Sequence, residues 1–127
     1  MYANILLSTD GSDVARNGVK HGIALAKALK AKMTVITVTE PLPVDYGSGL
    51  ASGWMPSQEE VDSFDAAGKE RAGKVLDEAR AMAEQIGISA DLLHVPNAHP
   101  AAAIIETATS RGCDLIVMAS HGRRGLS

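Results

Sequence analysis

Apolar and polar positions along this chain switch between two periods, and the switching predicts seven elements. Asn4 to Thr9 carries Ile5, Leu6 and Leu7 in a short apolar run that predicts a first strand. Met33 to Thr39 is a stretch rich in Val, Ile and Thr that predicts a second. Between them Ala15, Val19, Ile23, Ala26 and Leu29 recur at spacings of three and four, which places them on one face of a helix. Ser12 fits the N-cap of that helix and Asp13 its first turn. Gly18 and Gly22 lie one turn apart beside the stripe, where they either admit a close approach to the sheet or are simply tolerated. A longer helix follows: Ser57 and Glu60 are spaced as a capping box, and Val61, Phe64, Gly68, Ala72, Val75, Ala79, Met82 and Ile86 trace one face. Gly87 suits a left-handed cap at its end. Ala90 to Val95 predicts a third strand. Pro100 opens a third helix, with Ile104, Ile105 and Ala108 facing inward, and Gly112 closes it. Asp114 to Met118 predicts a fourth strand.

Strand and helix alternating in this way make an α/β domain, an open parallel sheet with helices on both faces wound by right-handed crossovers. The run Leu115, Ile116, Val117, Met118 is apolar at every position, which predicts an interior strand covered on both faces. Only nine residues follow Met118, too few to supply that cover. An apolar edge invites pairing with another chain, so the expectation is a natural chain that continues beyond Ser127 or a partner that shields this strand.

Composition narrows the class. At 127 residues and 46% apolar content, residues 1–127 form one domain large enough for a core without disulfides or metal. The lone cysteine, Cys113, cannot form an internal bridge, and the opening Met-Tyr-Ala-Asn lacks the features of a secretion signal, so a cytoplasmic setting is expected. Cys113 itself reads as structural. A net charge of −3 argues against a nucleic-acid partner, which calls for a basic face, and no apolar run is long enough for a membrane span.

Ligands of open α/β sheets collect beyond the carboxyl ends of the strands, so the loops after strands one and four carry the candidate chemistry. The first is Ser8-Thr9-Asp10-Gly11-Ser12. The Asp10 carboxylate there could accept hydrogen bonds from a ribose or a base, and the backbone of Thr9 could pair with a base edge; alternatively Asp10 and Ser12 only tie down the turn into the helix. The second is Ala119-Ser120-His121-Gly122-Arg123-Arg124-Gly125-Leu126-Ser127, whose small residues let amides approach an anion while His121, Arg123 and Arg124 add positive charge. His94 and His99 match no zinc spacing and read as structural. There is no Gly-x-Gly-x-x-Gly after strand one and no Gly-x-x-x-x-Gly-Lys-Ser/Thr, which removes the usual dinucleotide and P-loop readings. Leu93-His94-Val95-Pro96 at the end of strand three lacks the aspartate of a phosphoacceptor domain.

Ile-Leu-Leu-Ser-Thr-Asp-Gly-Ser at the start, Val-Thr-Glu-Pro after strand two, and Cys-Asp-Leu-Ile-Val-Met-Ala-Ser-His-Gly-Arg-Arg-Gly-Leu-Ser at the end resemble the universal stress protein family across essentially the whole chain. That resemblance implies a sheet of order 3-2-1-4-5, of which this chain supplies 3-2-1-4, so that the loops after strands one and four form one crevice. It implies a stress-response module that binds ATP, with magnesium as the accompanying ion, and works as a homodimer. By residue, Ser8, Thr9 and Asp10 would meet the adenine and ribose, with Val38 as an apolar wall beside the base. Met118, Ala119, His121, Gly122 and Arg123 would line the phosphate side. The family's nucleotide motif is Gly, two residues, Gly, nine residues, Gly, then Ser or Thr. Here Ala119 stands at its first glycine and Gly122 at its second, and the count from Gly122 to the third runs past Ser127. Pro41 to Pro56, rich in Pro, Gly and Ser, could fold over the crevice as a lid carrying Tyr46 and Trp54, although simple disorder with the aromatics packing locally is the safer expectation. With no carboxylate in the phosphate loop, hydrolysis would be slow at most, and the chain reads as a binding or regulatory module. The alternatives are a family member acting through dimerisation or partner contacts without nucleotide, and a small enzyme of the related adenine-nucleotide hydrolase and transferase superfamily.

Overall fold

A computed structural model describes residues 2–42 and 55–119. The chain runs β1 (Asn4–Thr9), α1 (Asp13–Leu29), β2 (Lys32–Val38), α2 (Gln58–Ile86), β3 (Asp91–Val95), α3 (Pro100–Arg111), β4 (Leu115–Ala119). The four strands form one parallel sheet in the order β3-β2-β1-β4. Expectation and observation agree on the sheet, its order and its helices on both faces. The first strand has the limits its pattern predicts, and the others shift by a single residue at one end or both.

Local chemistry sets the helix limits. Ser12 Oγ accepts from the Ala15 amide at 3.1 Å and Ser57 Oγ from the Glu60 amide at 3.1 Å, so each serine satisfies an otherwise unpaired donor of a first turn. Gly87 and Gly112 close α2 and α3 in the left-handed conformation, as their positions in the sequence suggest. Lys30 closes α1 in the same conformation at φ 55° without being glycine.

Side chains of alternate strand positions point to opposite faces of the sheet. Ile5 and Leu7 of β1 with Met33 and Val35 of β2 are buried under Ala15, Val19, Ile23 and Ala26 of α1 and Leu76, Ala79 and Ala83 of α2. On the other face Leu6 and Ile36 pack under Ile104 and Ala108 of α3, with Cys113 beside them. Burial raises the Cys113 thiol above its ordinary value, in keeping with a packing role. The close-approach reading of the two α1 glycines holds: a Cβ built on Gly18 would lie 2.8 Å from the Cβ of Ala119, and one on Gly22 would lie 2.9 Å from Leu7 Cδ1.

Two sequence expectations are corrected. The buried line of α2 runs through Gly68, Ala72, Leu76, Ala79 and Ala83, whereas Val75 and Met82 are only half-buried. The helix lies on the sheet along a line one position round from the most apolar stripe, so small alanines make the contact. On α3 the inward positions are Ala103, Ile104, Thr107 and Ala108, and Ile105 is 62% exposed, because it lies about 100° beyond Ile104 and about 200° beyond Ala103, past the edge of the face those four residues define. As the order 3-2-1-4 and the short stretch after Met118 lead one to expect, β4 is the outermost strand among the described residues. Leu115, Val117 and Ala119 turn toward α1, but Ile116 and Met118 on the α3 side are 39% and 57% exposed. An unbroken apolar run reports hydrophobicity on both faces; which neighbours cover them is decided by topology.

The base of the sheet is clamped by residues distant in sequence. The Asp114 carboxylate accepts from the amides of Ala3 and Asn4, while the Asn4 side-chain amide donates to the carbonyls of Arg111 and Gly112 at 3.0 and 3.3 Å. The Ala3 amide, then that of Asn4, holds the Asp114 carboxyl below its ordinary value. A carboxyl depressed in the folded state contributes stability above its unfolded pKa of about 3.9, and that contribution disappears as pH falls through the lower folded value. Asp114→Asn should therefore be less stable than the parent at pH 7, with the gap closing as denaturant titrations are moved below about pH 4. A gap of constant size across that range would show that the charge on Asp114 is not what the clamp uses.

Candidate functional site

The crevice is built where β1 and β4 leave the sheet together. In register, Ser8 pairs with Met118 and Thr9 with Ala119, and the Asp10 amide donates to the Ala119 carbonyl at 3.3 Å. The turn after β1 and the end of β4 are thus in direct contact. On the other side, the Thr37 hydroxyl donates to the Thr9 carbonyl at 2.8 Å, tying the end of β2 to the same point.

The turn itself is held by its own side chains. Asp10 Oδ1 accepts from the Ser12 amide at 2.9 Å, and Thr9 Oγ1 accepts from the Gly11 amide at 3.2 Å. Gly11 sits at φ +78°, a conformation that other residues adopt only with strain. Asp10 is exposed at the tip of this turn, so tying down the turn and presenting a carboxylate are compatible roles of one side chain.

The candidate residues straddle the carboxyl edge of the sheet. Thr9 and Ala119 are buried on the α1 face. Ser8, Val38 and Met118 lie on the α3 face, where Ser8 is buried, Val38 packs on the smaller core cluster and Met118 is exposed. His121, Gly122 and Arg123, and the proposed lid with Tyr46 and Trp54, fall outside the described residues.

A cavity of about 570 Å³ opens beside Asp10. Its floor is Asp10, Gly11 and the end of β2 at Thr37, Val38 and Thr39; Glu40 and Pro41 continue the rim; Phe64, Arg71, Lys74, Val75 and Glu78 of α2 make the far wall. A volume of this order suits a small organic ligand. Arg16 bridges the two helices at the cavity's edge, pairing with Glu78 of α2 and, at 3.0 Å, with Asp13. Such half-exposed pairs are worth roughly 0–1 kcal/mol, so they shape the rim more than they stabilise it. Below Thr39, its hydroxyl and His94 Nε2 are 2.8 Å apart, and burial, then the Lys69 ammonium, lowers the His94 imidazole from its ordinary value.

The sequence reading found Asp10 and Val38 but not the α2 wall. Arg71 and Lys74 sit on a helix whose polar positions look like an ordinary solvated face. The available signal was spacing: Arg71 is seven residues, two turns, after Phe64, on the side of α2 that carries the apolar stripe.

Among the described residues no helix is long and apolar enough to cross a membrane. The family model for the universal stress protein family matches residues 1–127. A curated universal stress protein from Methanocaldococcus jannaschii is 32% identical over 126 residues, spanning 99% of this chain and 69% of its own. Among solved structures, a universal stress protein family member from Burkholderia pseudomallei aligns with a TM-score of 0.70 at 26% identity, over 94% of this chain and 83% of its own. Two more share the fold at lower identity. One is a universal stress protein solved in complex with cAMP, with a TM-score of 0.56 at 23% identity over 91% of this chain and 70% of its own. The other is the universal stress protein of Archaeoglobus fulgidus in complex with dAMP, with a TM-score of 0.61 at 18% identity over 92% of this chain and 80% of its own.

Proposed function

This chain belongs to the universal stress protein family, and from that premise we propose that it binds an adenine nucleotide, ATP with magnesium, in the crevice at the carboxyl ends of β1, β2 and β4. The observation that carries the reading is the hydrogen bond from the Asp10 amide to the Ala119 carbonyl, which joins the two candidate loops, while Asp10 itself lines a cavity of about 570 Å³. Asp10 supplies acceptors for ribose hydroxyls, Val38 supplies an apolar surface for the base, and the segment after Ala119, with His121, Gly122 and Arg123, takes the phosphates. Two relatives of the same fold crystallised with cAMP and dAMP support this choice of ligand class. In this reading the protein is a regulatory binding module of the stress response, cytoplasmic and homodimeric; its net charge of −3 supports a role without nucleic acid.

The test is to denature the purified protein and identify what it releases, then titrate the emptied protein with ATP and magnesium. ATP or ADP in the released fraction is expected; no release and no binding at millimolar ATP would overturn the proposal. Asp10→Ala should weaken binding by about 1–3 kcal/mol, a loss of roughly five- to 150-fold in affinity. Asp10→Asn separates the two roles of the residue, since its side-chain oxygen can still accept from Ser12 while the charge is gone. Unchanged binding in both variants would remove Asp10 from the site.

A further inference from the structure

Three cations line the cavity, and two are engaged: Arg16 with Asp13 and Glu78, and Lys74 with Glu70 at 3.6 Å. Arg71 has no ion-pair partner among the described residues. It lies beside Gly68. A Cβ there would lie 3.6 Å from Thr39 Cβ and 3.7 Å from Arg71 Nη2, so the guanidinium lies over the glycine, close to the end of β2. Phe64, one turn before Gly68 on α2, joins Val75 and Pro41 in walling the same cavity. The surroundings of Arg71 therefore combine apolar walls with a planar group that can only donate hydrogen bonds, and the Glu40 carboxylate, which can only accept, lines the same cavity.

We infer that Arg71 reads the base of the bound nucleotide, donating to a purine ring nitrogen while Glu40 accepts from the exocyclic amine. The inference rests on the nucleotide reading above. Adenine presents this pair of groups on one edge, an acceptor at N7 beside the donor amine at N6. N7 takes a single donor, and the planar guanidinium can deliver one N–H in the plane of the base while its remaining N–H groups turn to solvent. The α2 wall thus becomes part of the ligand site and sets base preference, while the phosphates are held elsewhere.

The experiment compares adenosine, ATP and 7-deaza-ATP on the wild-type protein, Arg71→Met and Arg71→Lys by calorimetry at fixed salt. Arg71→Met is expected to weaken adenosine and ATP by the same factor, about tenfold. Replacing N7 should weaken the wild type by a similar factor and leave Arg71→Met unaffected. Arg71→Lys, which keeps a donor and the charge but on a shorter side chain without the planar group, should recover only part of the loss. A loss that grows with the number of phosphates, full recovery in Arg71→Lys, or independent losses for the variant and the 7-deaza ligand would each overturn the inference. Wild-type binding of ATP with no change in Arg71→Met overturns it while leaving the nucleotide reading intact. Failure of the wild type to bind any of the three ligands overturns both.

Discussion

Gly18→Ala should destabilise the domain by about 1–3 kcal/mol, even though alanine is the better helix former by about 1 kcal/mol. The methyl would stand 2.8 Å from the Cβ of Ala119 and 3.2 Å from its Cα. Neither atom can rotate away, since one is a strand backbone atom and the other is attached directly to it. Relief must come from moving α1 off β4, at the point where the Asp10 amide meets the Ala119 carbonyl. Denaturant titration should show a lower midpoint at unchanged slope. The double variant Gly18→Ala with Ala119→Gly provides the internal check: removing the Ala119 methyl frees the space, so the two changes should couple by about 1 kcal/mol or more. Simple additivity would mean that the helix and strand adjust without strain. The same contact explains how Ala119 is accommodated: its methyl points into α1, and the absent side chain of Gly18 receives it.

The second large effect is expected at Gly11. Alanine at φ +78° costs about 1–2 kcal/mol in backbone strain alone, and its Cβ would overlap Cγ2 of Val75 on α2. Together these should amount to about 2–4 kcal/mol, the upper part coming from overpacking. Gly112→Ala is the control. Its φ is +66°, but nothing lies within 4 Å of a Cβ there, so only the strain should appear. Equal loss of thermal stability in the two variants would show that Val75 simply moves aside. Under the proposed function, nucleotide affinity should separate them too, because Gly11 supports the Asp10 turn whereas Gly112 lies at the opposite end of the sheet, where α3 enters β4.

Much of the fold was legible because its signals are local. An N-cap serine acts within three residues, as Ser12 and Ser57 do, and a left-handed glycine ends a helix at the place where it stands, as Gly87 and Gly112 do. Of the candidate site, Asp10 was legible for the same reason: it stands at the end of a readable strand and before a readable cap. Arg71 was not, because its relevance depends on where α2 crosses the end of β2, a matter of how Gly68 seats against Thr39.

By itself, then, the sequence determined the alternation of strands and helices, the caps that bound them, and the residues that resemble the universal stress protein family. Tertiary structure alone decided which side of α2 is buried, that Ile105 faces outward, that Ile116 and Met118 are exposed, and that Asn4 and Asp114 clamp each other across 110 residues. The division has one physical cause. Capping and periodicity are interactions within a turn or two of chain, whereas coverage and contact depend on which distant segments the crossovers bring side by side.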